Sequence, residues 1–297
     1  NTFSPNSTHI LATQGSTLGI LRLDGFSNVL GGLGGVGIVE NSNAVTAVTL
    51  TVGRNNESTN FAGEIRDGGL FALSLTKVGT GALTLSGTNT FTGNTLVNGG
   101  VLNLTGSYIG ATATSYLYYG NSPYQSTVNV SGDVDLFSMQ GANTTGAVSV
   151  YNQTAGTVRL FTVQNGGNYR VATIGYGYLN LTGGLFQMST GTGINRFNLN
   201  ENNANAVGVA YVGGSGVLNN SNNPNDWFIL AYQGLAQFTV GQGGFVNRQN
   251  SVGQIGIVLG GTGTQGSLNI AGGAFDGGLS NLRWGNGGIT SSTSFYN

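Results

Sequence analysis

Side chains able to do chemistry are scarce in this sequence. Its 297 residues hold one histidine, His9, one lysine, Lys77, eight arginines, ten carboxylates and no cysteine. A Ser–His–acid triad or a zinc site built on imidazoles needs more supporting groups than one histidine brings. His9 therefore reads as a surface or capping residue. Without cysteine there is no disulfide and no thiolate metal site. Asp133 and Asp135 stand two apart, so on a strand they share one face. Joined by acids from stacked neighbours, they are weak candidates for a cation site or a carbohydrate-cleaving dyad. Alone they read as a solvated face, as do Glu64 and Asp67 around Arg66. No catalytic or cofactor-binding residue, and no cofactor, is assigned.

Aromatic side chains are the other candidates. Tyr116, Tyr118, Tyr119 and Tyr124 fall in residues 107–127, where the spacing described below is interrupted. This stretch is expected to be a Tyr-rich loop leaving the main body. Its rings either form an interaction surface, stacking on sugars or on a neighbouring molecule, or cover a local core.

These groups sit in an unusual background. Charged residues make up 6% and glycine supplies 54 positions, yet 39% of residues are hydrophobic. That apolar content is enough to offset chain ordering, which disordered low-complexity chains lack. The net charge of −1 comes without any cationic cluster, so nucleic acid is not expected as a partner. No apolar run is long enough for a membrane helix. No signal peptide is visible and the sequence opens at Asn1, so a mature or processed fragment is expected.

One word positions the elements: apolar–x–apolar–x–Gly. It occurs at Leu21–Gly25, Leu83–Gly87, Leu102–Gly106, Val128–Gly132, Leu179–Gly183 and Leu268–Gly272. Period two buries both apolar side chains and sends the intervening Arg, Thr, Asn or Ser to solvent. Glycine is expected to close each strand by adopting positive φ. From Gly87 on, the closing glycines are 19, 26, 51 and 89 residues apart, and the last two steps divide into two and three parts. Such periods belong to solenoids, in which each short strand buries its face against the turn before and after it. The expected fold is all-β: a right-handed parallel β-helix of roughly twelve coils, 19–30 residues each, forming one solenoid over residues 1–297. Antiparallel sandwiches and barrels stay open through the turn pairs Asn98-Gly99, Asn165-Gly166 and Asn286-Gly287.

Residues 75–106 carry a denser pattern. Lys77, Gly79, Gly81, Leu83 and Leu85 are followed by Ser86, Gly87, Asn89, Phe91 and Gly93, then Val97, Gly100 and Leu102. This resembles the autotransporter-associated β-strand repeat, or passenger-associated transport repeat. The resemblance implies a β-helical passenger region exported to the bacterial cell surface or beyond, serving as a stalk, adhesin or fibre. Lys77 is expected to cover a coil edge with its aliphatic stem.

The functional expectation is an extracellular structural or adhesive rod, stacking on itself or meeting surface glycans or a host surface. A β-helical polysaccharide lyase or hydrolase is one alternative. A carbohydrate- or ice-binding face built on Thr49-x-Thr51, Thr88-x-Thr90 and Thr112-x-Thr114 is another. The sequons at Asn103 and Asn129 read as chance products of an Asn- and Thr-rich composition.

Overall fold

Alternating apolar and polar residues over a few positions make strands that bury one side only, and such strands need neighbours. The computed structural model describes residues 3–296 apart from 44, 111–114, 162–167, 189–195, 201–202, 221–226, 250–253, 259–263, 279–280 and 284–292. Among the described residues there is no helix, and strands are short, the longest being Leu235–Gly241 and Gln265–Ala271.

The strands form three faces of a parallel solenoid. A twelve-stranded first face runs from Thr8–Leu11 to Thr293–Tyr296, and an eleven-stranded second face from Asn28–Leu30 to Asn281–Arg283. The third face holds eight strands, from Thr88–Asn89 to Ala274–Asp276; before it stand Ile20–Arg22, Ile38–Asn41 and Glu64–Gly68 as a separate three-stranded sheet. Regular three-sided turns begin at Ala82–Leu85; eight are complete and Thr293–Tyr296 opens a ninth, while Thr8–Leu11, Gly32–Gly35 and Thr59–Phe61 precede them on the first face. The one antiparallel strand pair among the described residues is Thr13–Gln14 with Thr17–Leu18. Asn98-Gly99 is a corner between parallel strands rather than a hairpin turn. Asn165-Gly166 and Asn286-Gly287 lie outside the described residues.

Register fixes the turn lengths. Ala82 pairs with Val101, and the row continues through Thr127, Val150, Tyr178, Val209, Gln237 and Ser267. The step from Ala82 to Val101 is the shortest of these, and every step from Val150 onward is longer than the three before it. The inward rows supply the core: Leu85, Leu104 and Val130 lie in one, Leu102, Val128, Tyr151 and Leu179 in its neighbour, all buried. As the turns lengthen, aromatic rings fill the wider interior. Tyr151, Tyr169, Phe186, Phe197, Phe228 and Phe238 form a chain of edge, tilted and stacked contacts 4.8–6.4 Å between centroids.

The outward row beside that core is a hydrogen-bonded ladder. Asn103 donates to Thr84 at 2.9 Å, then Asn129 to Asn103, Asn152 to Asn129 and Asn180 to Asn152, each at 2.8 Å. The sequons at Asn103 and Asn129 thus follow from the fold: an Asn ladder sits two positions before an exposed Ser/Thr row.

The glycines correct one expectation. Gly25 and Gly272 take positive φ as expected, but Gly87, Gly106 and Gly132 do not. Stacking demands them instead: a Cβ there would lie 2.1, 2.1 and 1.8 Å from the carbonyl oxygen of Gly63, Gly87 and Gly106, one turn below. Positive φ joins this requirement only at Gly156 and later members of the column, such as Gly243.

Candidate functional site

Residues 75–106 hold the densest motif singled out in the sequence. Lys77 ends the strand Leu73–Lys77, in which Leu73 and Leu75 point inward, and period two carries Lys77 inward as well. It does not cover an edge: it is fully buried. Its ammonium donates to Val78 O at 2.6 Å and Gly79 O at 3.1 Å in its own corner, and to Gly99 O at 3.2 Å in the corner of the next turn. An ammonium has three donors and no acceptor, so three carbonyls saturate it. Burial pushes its pKa down to about 8.

The rest of the motif builds the corners around it. Gly79 has φ +72° and its Cβ would meet Gly53 O at 2.0 Å; Gly81 and Gly93 are held equally close to Glu57 O and Leu73 O. Asn89 is buried, accepting from Ile65 N at 3.2 Å and donating to Gly87 O. Phe91 meets Tyr108 edge-on at 4.8 Å, and Leu83, Leu85, Val97 and Leu102 join the core. Gly100, at φ +65°, stacks on Gly79 O.

The same device recurs where it was not anticipated. Asn41 is buried and links three turns, accepting from Gly25 N and donating to Thr46 O and Phe71 O. Gln153 donates to Gly156 O of its own turn and Leu185 O of the next. Asn200 accepts from Tyr232 N and donates to Leu235 O. The available signal was a polar residue at an inward-facing position of an alternating strand, as Gln153 is after Tyr151.

The other candidates are dispersed. Tyr119 is in the core, its hydroxyl 2.9 Å from that of Tyr169, and burial raises its pKa. Tyr116 stacks on Tyr118 at 5.5 Å and meets Phe137 at 5.1 Å, while Tyr124 stands apart and 71% exposed. The four do not form one surface. Of the segment 107–127, Ser107–Ile109 and Tyr116–Tyr119 take their places in the third and second faces, and residues 111–114 lie outside the described residues. Asp135 pairs with Arg159 at 2.7 Å, and Asp133, outside the strand, accepts from Thr157 N. Among the described residues no group of three or more acids or histidines converges as a metal site. His9 meets Phe3 edge-on and Ser4 O. Thr49 and Thr51 lie on the second face and Thr88 on the third; Thr112 and Thr114 lie outside the described residues.

One charged cluster stands out, across Ile20–Arg22, Ile38–Asn41 and Glu64–Gly68. Glu40 accepts from Arg22 at 2.9 Å and from Arg66 at 2.7 Å, and Arg66 also reaches Glu64 at 3.2 Å. Burial alone would raise the pKa of Glu40, but hydrogen bonds and charge from both arginines outweigh it and hold the group below the ordinary carboxylate range.

This arrangement is a set of corner staples in a parallel solenoid, repeated turn by turn. Residues 75–104 match the family of the passenger-associated-transport-repeat. The repeat therefore runs from the end of the strand Leu73–Lys77 through the first regular three-sided turn into Gly100–Leu104, with Lys77, Asn89 and the stacked glycines as its corners. Repeat and solenoid together are features of autotransporter passenger regions. No curated protein and no solved structure matches the chain.

Proposed function

We propose that the chain is an extracellular structural and adhesive rod of a bacterial surface or secreted protein. The observation that carries this reading is continuity: parallel faces run the length of the described chain, and one turn carries the passenger-associated transport repeat. Stacked turns spaced about 4.8 Å apart project a surface outward without a separate scaffold. The strands Thr8–Leu11, Ile20–Arg22 and Asn28–Leu30 each end a sheet, and Ile10 and Phe26 are exposed beside them. End-to-end stacking of copies through such strands is part of this proposal.

The lyase or hydrolase alternative needs unengaged carboxylates converging on one groove. Here Glu40 and Asp135 are held by arginines, and Asp67 accepts from the amides of Leu73 and Thr92. Electron microscopy of the purified chain tests the proposal. Thin rods about 55 Å long, or filaments built from them, are expected from the strand spacing. Compact globules would overturn it.

A further inference from the structure

The first face changes character beyond the asparagine ladder. After Asn180 the next place in that outward row belongs to Tyr211, followed by Thr239 and Asn269. Two parallel outward rows run beside it. One reads Val148, Tyr176, Val207, Leu235 and Gln265; the other reads Val150, Tyr178, Val209, Gln237 and Ser267. Between them the inward row is Gly177, Gly208, Ala236 and Gly266, so two lines of side chains flank a floor of small residues. A groove of about 320 Å³ follows this floor over Gly208, Ala236 and Gly266.

Three features give the groove a chemistry. First, Tyr176 and Tyr178, one turn before the groove in its two flanking rows, are 44% and 37% exposed, whereas the aromatic rings of the core column are fully buried. Second, Tyr211, in the adjoining outward row beside the groove, is 37% exposed and seated on glycine. A Cβ at Gly213 or Gly241 would come within 2.3–2.4 Å of its hydroxyl oxygen, and ring carbons lie almost as near. The ring is thereby laid against the backbone of its own and the following strand, with its other side toward solvent. Third, no outward position of this face from Ala82–Leu85 to Gln265–Ala271 is charged. The described ion pairs lie on the third face and on the sheet that precedes it.

We infer that this groove binds an extended, electrically neutral glycan along the solenoid axis, a ligand that rests on the adhesive side of the function proposed above. Sugar rings present apolar C–H faces that stack on exposed aromatic rings, and hydroxyls that exchange hydrogen bonds with phenol, amide and hydroxyl groups. The groove offers both along one line, tyrosine and aliphatic side chains giving way to Gln237, Gln265 and Ser267. Successive turns rise by about 4.8 Å, a spacing close to the advance per ring of an extended pyranose chain, so rings and turns can stay in step. A uronate- or sulfate-bearing chain would find no cation on this face, and that selects the neutral class.

The test titrates the intact chain with cellohexaose, chitohexaose, mannohexaose and a hyaluronate hexasaccharide, reading heat and tyrosine fluorescence. Binding of at least one neutral hexasaccharide, without hyaluronate binding, is expected. Tyr176→Ala combined with Tyr178→Ala should weaken it about tenfold or more, with the melting transition unchanged because both side chains face outward. Gln237→Ala gives an independent, milder loss at the polar end. Three results would overturn the inference: no neutral hexasaccharide binding at millimolar concentration, binding insensitive to these variants, or a lateral dimer of the chain that the variants abolish. The last would assign the face to a second copy. Rods that bind no sugar would sink the groove and leave the structural reading standing, whereas globules in the microscope would sink the rod itself.

Discussion

Replacing Lys77 with methionine removes an ammonium while keeping an unbranched side chain of similar length. Three carbonyl oxygens, of Val78, Gly79 and Gly99, then lose their donor. A buried acceptor left unmatched costs roughly 1–3 kcal/mol. Against that loss stands the relief of no longer burying a charge. The expected net is a destabilisation of about 3 kcal/mol at pH 7, at the low end for removing one partner from a buried charged set. The pH dependence sharpens the test. In the folded chain Lys77 titrates near 8, against the ordinary 10.5. Below pH 8 both folded and unfolded chains hold the proton and the burial penalty is complete. Between these values the unfolded chain holds more proton than the folded one, so wild-type stability rises with pH. K77M lacks that rise, and its deficit therefore widens from pH 7 to 10. Urea melts of both proteins across this range read the difference, and titrating tyrosines cancel between them. Exchange of the Asn98 amide, which donates to Lys77 O, reports the same corner locally. A K77M stability within about 0.5 kcal/mol of wild type, or a gap independent of pH, would refute the staple.

Two further predictions concern stacking and charge. Gly132→Ala should destabilise by about 2–3 kcal/mol, since its Cβ meets Gly106 O at 1.8 Å. Gly146→Ala, with φ +77° but open space around it, should cost only about 1 kcal/mol in the same melts. Glu40→Gln should cost about 1 kcal/mol at neutral pH, because the partners Arg22 and Arg66 are partly solvated. The folded pKa of Glu40 is depressed, so its contribution is present above the ordinary carboxylate value and is lost as pH falls through the folded value. E40Q should therefore lose less stability than wild type between pH 5 and pH 3, as read by acid titration of circular dichroism.

The fold is legible in the sequence because its signal is periodic. Leu83, Leu85, Leu102 and Leu104 announce strands and the glycine steps announce turns, and both come from local residue types. Dividing the longer glycine steps into two and three parts agrees with the register, which carries Thr127 through Val150 to Tyr178, then through Val209 and Gln237 to Ser267. What stays hidden depends on stacking between turns. Whether Gly87 serves φ or close approach is decided by Gly63, one turn below. Lys77 reads by type as a surface residue, although its place after Leu73 and Leu75 puts it inside. The Tyr116–Tyr124 segment reads as a loop because the step from Val101 to Thr127 is longer than the step from Ala82 to Val101. Tyr116–Tyr119 is nonetheless an ordinary strand of the second face.

Hydrogen bonds between turns lie along the long axis of the solenoid, so a pull on its ends loads all three faces of each junction together. The junctions are not equally strong. At the passenger-associated repeat the faces contribute Ala82–Leu85, Thr88–Asn89 and Thr95–Val97, strands of 4, 2 and 3 residues. Further along, Val207–Val212, Val217–Asn219 and Trp227–Ala231 contribute 6, 3 and 5. Under tension the narrow turn parts before the wide ones, and the bond from Lys77 to Gly99 crosses that junction. In a rod under load this narrow turn would act as a mechanical fuse, with a single buried ammonium helping to set the force at which it opens.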